Sequence, residues 1–508
     1  MTRFVGLLSI LLLCALPLAG QMSHHGTSDH EPPADLGVIE FPNSGAAAAQ
    51  PHFIRGVLLL HSFEYAPSAR AFREAQAADP EFALAYWGEA MTFNHPIWGE
   101  QDLAAGRAVL ARLAPTAAER AAKARTEREK GYMAAVEILF GEGEKSARDA
   151  AYSAAIGALA ERFPGDLNAR SFHALSLLGL AGIERDTRNY MRAASIAEEI
   201  YEIDKRHPGA LHYLIHAYDD PVHAPLGLRA ARLYAKAAPA ASHAQHMPSH
   251  IFFALGMWEE AIASNIASMN TARDQGMGGY HPLHWLEHAY LQVGRRDDAA
   301  KLVAVMAGDV EKKPTGAARA HLAMTRATWL VETRGGGARS MREPVDSSGI
   351  VTIGSFAGHD LARGLAAIES EDSGAAAGAL RDLRNRVAAG RKAVGSGTEV
   401  ASRYDSVTPS ELRAAEIMEM MLDGAIRFAG GKQDEGIRLA REAAAAEDSM
   451  SFEYGPPQTV KPPYELLGEL LLRAGRRDEA AKAFERVLAT HPNRTLTLEG
   501  LRKVKGEG

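Results

Sequence analysis

Ten of the chain's twenty histidines lie between His207 and His288, and three successive blocks repeat one spacing: His212/His216, His243/His246/His250 and His281/His284/His288. Imidazoles four residues apart on a helix lie one above the other, so two ring nitrogens can reach one ion at about 2.0–2.1 Å. Helices packed about 8–10 Å apart let opposing pairs complete such a site. The chemistry in prospect is transition-metal binding, zinc or copper first. His246, His250, His284 and His288 are the expected core four, with His212 and His216 next and Asp219, Asp220 and Glu287 orienting the rings. Eight neighbouring imidazoles also repel once protonated, so acid should empty the site.

Two other chemistries fit the same residues. His284-Trp285-Leu286-Glu287-His288 reads H-x-x-E-H, in which two histidines hold zinc and the glutamate, here Glu287, serves as general base of a hydrolase. Five residues make a permissive motif, and a buried carboxylate at that place needs a partner in any case. The remaining reading needs no metal: histidines lining a groove hydrogen-bond one another, or bind a peptide, protein or small molecule.

The elements that must position these residues are helical hairpins. Leu255-Gly256-Met257-Trp258-Glu259-Glu260-Ala261, Val293-Gly294-Arg295-Arg296-Asp297-Asp298-Ala299 and Ala474-Gly475-Arg476-Arg477-Asp478-Glu479-Ala480 share one pattern, a glycine turn between two helices. With Ala85-Tyr86-Trp87-Gly88 after Asp79-Pro80, and Ala480 to Phe484 running into His491-Pro492, the pattern resembles the tetratricopeptide repeat, whose period is about 34 residues. The match is strongest in the blocks beginning near Pro208, Ser242, Tyr280 and Lys461, and weak over 335–406. Residues 45–98 also resemble the start of a group of exported bacterial repeat proteins, which implies no activity. The fold expected is all-α, a right-handed tetratricopeptide-like solenoid of helix-turn-helix repeats.

If Ala261, Ala299 and Ala480 are position 20 of each repeat, the histidines fall at positions 2, 5 and 9 of the first helix, within an arc of about 60°. Leu211, Leu214, Ile215 and Tyr218, at positions 4, 7, 8 and 11, lie about a quarter turn away and are packing residues. The resemblance implies that positions 2, 5 and 9 line the concave groove. Glu465 and Glu469 hold positions 5 and 9 of the last repeat, so they are expected groove residues. Asp219 and Asp220 extend the histidine stripe.

Composition agrees with helices. Aromatic residues are 7% of the chain, and the alternating Val/Ile/Thr runs of strands are nearly absent, so no sheet is expected. A solenoid also accommodates 508 residues, because each repeat buries its face on its neighbours. A net charge of −7 with mixed signs leaves no basic patch for nucleic acid.

The apolar run Phe4 to Leu18 after Arg3, followed by Ala19-Gly20, reads as a secretory signal over 1–20, too short to span a bilayer. A periplasmic or secreted location follows, with no membrane span after cleavage. Cys14, the one cysteine, lies inside it, so the mature chain has no thiol for disulfides, zinc or nucleophilic catalysis. Residues 21–49, with His24, His25 and His30, are expected to be a disordered leader. Residues 50–333 then form an amino-terminal solenoid with the histidine groove, 334–406 an irregular helix-and-loop region, and 407–508 the carboxy-terminal repeats. Weaker candidates are His61, Trp87, His95 and Trp98 facing the groove, His359 capping a helix, and Met418, Met420 and Met421 as soft copper ligands. Tyr454-Gly455-Pro456-Pro457, leading to Pro462-Pro463, is either a linker or a cover for the groove.

Overall fold

The structure, a computed structural model, describes residues 35–180, 185–275, 279–394 and 406–507. The signal-like run, Cys14 and the leader histidines lie outside them. Antiparallel helical hairpins follow one another, beginning with Gln50–His61 and Tyr65–Ala78 and ending with Pro463–Arg473 and Arg477–Thr490, capped by Thr495–Lys505. First helices of successive hairpins also touch: Leu167–Gly179 on Pro208–Ala217, that helix on Pro248–Ala254, and Tyr280–Gln292 on Gly316–Glu332. No described helix is long and apolar enough to cross a membrane.

The glycine turns form as the spacing predicts. Gly256, Gly294 and Gly475 have φ of +65°, +76° and +77°. The next residue's N–H then reaches back to a last-turn carbonyl: Met257 to Phe252, Arg295 to Tyr290 and Arg476 to Leu471, at 2.8–2.9 Å. Only glycine adopts that backbone without a Cβ penalty, which is why it punctuates these three hairpins.

Three expectations change. Residues 35–49 are not a disordered leader: Leu36, Ile39 and Phe41 are buried, and Phe41 meets Phe53 edge-on at 5.1 Å. The region 334–406 contains a full hairpin, Gly354–Glu369 with Ser373–Ala393, leaving loop and a short 3-10 turn, Arg339–Arg342, before it. Among the described residues there is one small antiparallel ladder, Asn94–His95 with Glu100–Gln101. The buried apolar residues form three clusters, one running mainly from Leu36 to Val331, another from Ile353 to Phe484, and a small one joining Leu283, Met306 and Leu322 to Val345 and Phe356.

Both ends fold inward on the middle of the stack. At the amino end, Glu64 Oε1 accepts from Ser242 Oγ at 2.7 Å and from the His243 N–H at 3.0 Å. At the carboxy end, Thr495 Oγ1 donates to the Gln292 carbonyl at 2.5 Å, and Trp258 Nε1 donates to the Asn493 carbonyl at 3.0 Å. Beneath that second contact, Arg494 is 1% exposed and pairs with Glu465 at 2.7 Å and Glu332 at 2.8 Å.

Candidate metal centre

Six of the eight stripe histidines meet in two trios, His212/His216/His243 and His246/His250/His281, each with ligand atoms within 4.8 Å of one another. The trios are built alike. Each takes two buried rings four residues apart on one hairpin and a half-buried ring from the second residue of the next hairpin's first helix. The chain between His246 and His250 is not one helix: Ser242–His246 ends at Met247 and Pro248–Ala254 begins. Pro248 has no N–H to continue the ladder, and its ring forces the break.

The tautomers in the second trio follow from its neighbours. His250 Nδ1–H donates to Asp219 Oδ2 at 2.5 Å. Asn265 Nδ2 donates to the Ala261 carbonyl at 2.9 Å, which turns its oxygen to accept from His246 Nδ1–H at 2.7 Å. Ser249 Oγ stands farther from the same nitrogen, at 3.3 Å. With both rings neutral, each has its proton on Nδ1 and a lone pair on Nε2, and the two Nε2 atoms face each other at 3.1 Å. Burial lowers the His246 imidazole to about 3, with His250 next to it adding to the effect. Two opposed lone pairs at that distance match two ligands of one cation.

In the first trio, His212 Nδ1–H donates to the His61 carbonyl at 2.6 Å, leaving Nε2 as the lone-pair nitrogen. The Nε2 atoms of His212 and His216 are buried and have no hydrogen-bond partner. Burial, with the neighbouring imidazoles, holds both rings well below the usual histidine range.

The stripe is not an open groove lining. Phe63, held at φ +56°, lies on His212, His216 and His243 with ring centroids at 4.3, 5.7 and 5.5 Å. Trp285 covers His250 at 4.4 Å and His246 at 5.1 Å, and Tyr454 reaches His250 at 4.9 Å. The Tyr454 loop is thus a cover. Gly455 lets it close, because a Cβ there would stand 2.4 Å from Trp285.

The expected core four does not assemble. His284 Nε2 contacts Thr328 Oγ1 at 2.9 Å, and His288 lies against Phe253 and Trp258. The hairpins are offset, so positions 5 and 9 of one meet position 2 of the next. For the His284/His288 pair that place is Ala317, the second residue of Gly316–Glu332, and among the described residues no third ligand joins them. Glu287 orients neither ring: both its carboxylate oxygens are buried without a hydrogen-bond partner, and burial, then Glu332, raises its carboxyl well above the usual range. No general base beside an assembled zinc site results.

Other candidates also take structural places. Asp219 orients His250, but Asp220 pairs with Arg185 at 2.7 Å and with His223 at 2.7 Å. Glu465 is buried against Arg494 and Lys461, and Glu469 pairs with Lys461 and Arg334, so neither lines an open groove. His61 is fixed between Tyr213 and Asn168, His95 stacks on Tyr65, Trp87 is core and Trp98 borders Phe63 and His243. His359 lies inside Gly354–Glu369, and its Nε2 donates to the Met341 carbonyl of the short 3-10 turn. Met418 and Met421 are core residues of the second cluster, and Met420 packs at its edge. Phe63 and Asn265 lacked any local signal, apart from a polar side chain four residues beyond the signature Ala261.

A tetratricopeptide-repeat family model matches residues 464–496. No curated protein sequence matches the chain. Among solved structures it is similar to Cut9–Hcn1 from an APC/C hetero-tetramer, at 11% identity and TM-score 0.37 over 91% of this chain and 78% of that one. Human IFIT1 as a dimer with m7Gppp-AAAA gives 13% identity and TM-score 0.38, over 92% and 91%. Yeast Tom70 gives 10% and 0.33, over 90% and 88%. Such values carry no argument about function. Residues 464–496 thus match a tetratricopeptide repeat, and stacked helical hairpins throughout the described residues give the chain an all-α, solenoid-like fold.

Proposed function

We propose that this repeat scaffold binds a transition-metal ion, zinc or copper, inside its covered histidine cluster. The observation that carries the reading is the 3.1 Å approach of the His246 and His250 Nε2 atoms, each left as an acceptor by the bond its Nδ1 makes. Two acceptors facing each other in a buried place repel unless a cation lies between them. Imidazole donors without thiolate suit zinc and copper, and Asp219 gives His250 the carboxylate–histidine support common behind metal ligands. A peptide held along the stripe would first have to displace Phe63, Trp285 and Tyr454. The His284/Glu287/His288 motif lacks a third ligand among the described residues, and nothing favours hydrolysis there.

The test is metal content and affinity. Untagged protein stripped with chelator and dialysed against Zn(II) or Cu(II) is expected to retain tightly held ion, and the double variant His246→Ala, His250→Ala to lose it at that trio. His359→Gln, outside the cluster, controls for general damage. Wild-type protein that retains no metal of either kind refutes the reading.

A further inference from the structure

We infer that the cluster is a two-ion centre, with one transition-metal ion on His246, His250 and His281 and a second beside it on His212, His216 and His243. This rests on the reading that the cluster binds metal at all. The first argument is that the same construction occurs twice: an i, i+4 pair of buried rings closed by the half-buried second residue of the following hairpin. The second is that the first trio presents its own unsatisfied donors. His212 has its proton committed to the His61 carbonyl, and the Nε2 atoms of His212 and His216 have no hydrogen-bond partner although both residues are almost wholly buried. A buried polar atom without a partner is costly, and a cation shared by the trio removes that cost.

The trios share a wall. His216 and His250, from different trios, have ring centroids 5.8 Å apart, and His243 and His246 are 6.2 Å apart. Within a trio the spacings are similar, 4.9 and 5.0 Å in the first and 4.8 to 6.2 Å in the second. Six rings thus form one continuous array, and two ions in it are near neighbours. Each has three neutral donors, which leaves at least one coordination position open. Neither trio contains a carboxylate ligand, so a small anion between the ions is the natural source of the missing charge.

Wild-type stoichiometry decides the matter without any substitution. Stripped full-length protein titrated with Cu(II) or Zn(II) should bind two ions per chain. The Cu(II)-loaded form should give an electron paramagnetic resonance signal altered by coupling, not the sum of two isolated ions. His243 and His281 are half-buried, so His243→Ala and His281→Ala perturb packing least; each should lower the capacity from two ions to one. Circular dichroism confirms that the variants fold. One ion per chain in the wild type, or two uncoupled copper signals, overturns the two-ion centre while leaving metal binding intact. No ion at all overturns both.

Discussion

The Nε2 atoms of His246 and His250 stand 3.1 Å apart across a proline-broken helix, and with both rings neutral each turns a lone pair toward the other. The arrangement depends on two fixed neighbours, Asn265 and Asp219, which hold the protons on the far side of the rings.

Asp219→Asn should weaken metal binding. The amide is a poorer acceptor than the carboxylate at 2.5 Å from His250 Nδ1, and loss of such support typically lowers affinity about 10–100-fold. Competition against a chromogenic chelator measures it, with a thermal melt to confirm that the fold persists. Unchanged affinity would remove Asp219 from the site.

Gly455→Ala should loosen the cover. At φ +92° the position disfavours any side chain, and the new Cβ meets Trp285 at 2.4 Å. The loop must shift, and Tyr454 with it. Bound ion is expected to leave faster on challenge with excess chelator. The same release rate as wild type would mean that the loop does not gate the centre.

Metal-free protein should lose stability in acid from histidines outside the cluster. Burial lowers His61 and His359 to about 3, against the ordinary 6.5. The unfolded chain therefore takes up these protons first. Their contribution is complete above about pH 6.5 and drains away as pH falls toward 3, by at most about 1.4 kcal/mol per pH unit for each residue. Urea unfolding of chelator-treated protein across this range measures the slope. His359→Gln, which keeps a donor for the Met341 carbonyl, should flatten it; an identical slope would show that His359 does not titrate between the two states.

Glu287→Gln should stabilise the fold with the opposite pH trend. A carboxyl whose folded value is raised contributes most below its ordinary 4.5 and loses that contribution as pH rises. Glutamine has no proton to lose. Relative to wild type, the variant should gain up to about 1.4 kcal/mol per pH unit above 4.5, until the raised value is reached. Metal content should not change, since Glu287 touches no trio. A variant less stable than wild type at pH 7 would mean that the carboxylate has a partner it needs.

Arg494→Met should be strongly destabilising. It removes the guanidinium that pairs with the buried Glu332 and leaves the buried Glu465 with Lys461 alone. Breaking one side of a buried pair costs about 3–5 kcal/mol. The carboxy-terminal helix should also become sensitive to protease, because Arg494 adjoins the Thr495 contact with Gln292. A melting temperature equal to that of wild type would show the network to be dispensable.

Local physics was readable in the sequence, and long-range physics was not. The glycine turns at Gly256, Gly294 and Gly475 depend on a backbone angle that one residue sets, so spacing alone located them. The His212/His216 and His246/His250 pairs depend on one helical turn and were equally visible. Which ring completes each pair depends on the offset between hairpins, which no single hairpin encodes; hence His281 and His243 joined the trios while His284 and His288 did not. The covering of the stripe by Phe63 joins residues far apart along the chain, and nothing local announces it; the Pro-rich segment after Tyr454 left linker and cover both open. Glu287 stood out as a carboxylate in a packing position, and the structure leaves it there unpaired.

Because the closing ring of each trio belongs to the following hairpin, no single repeat owns a complete cage. An ion seated there would act as a rivet between adjoining units. Its departure would free a seam in the stack, so that the mechanical coherence of the whole superhelix would report how much metal its surroundings supply.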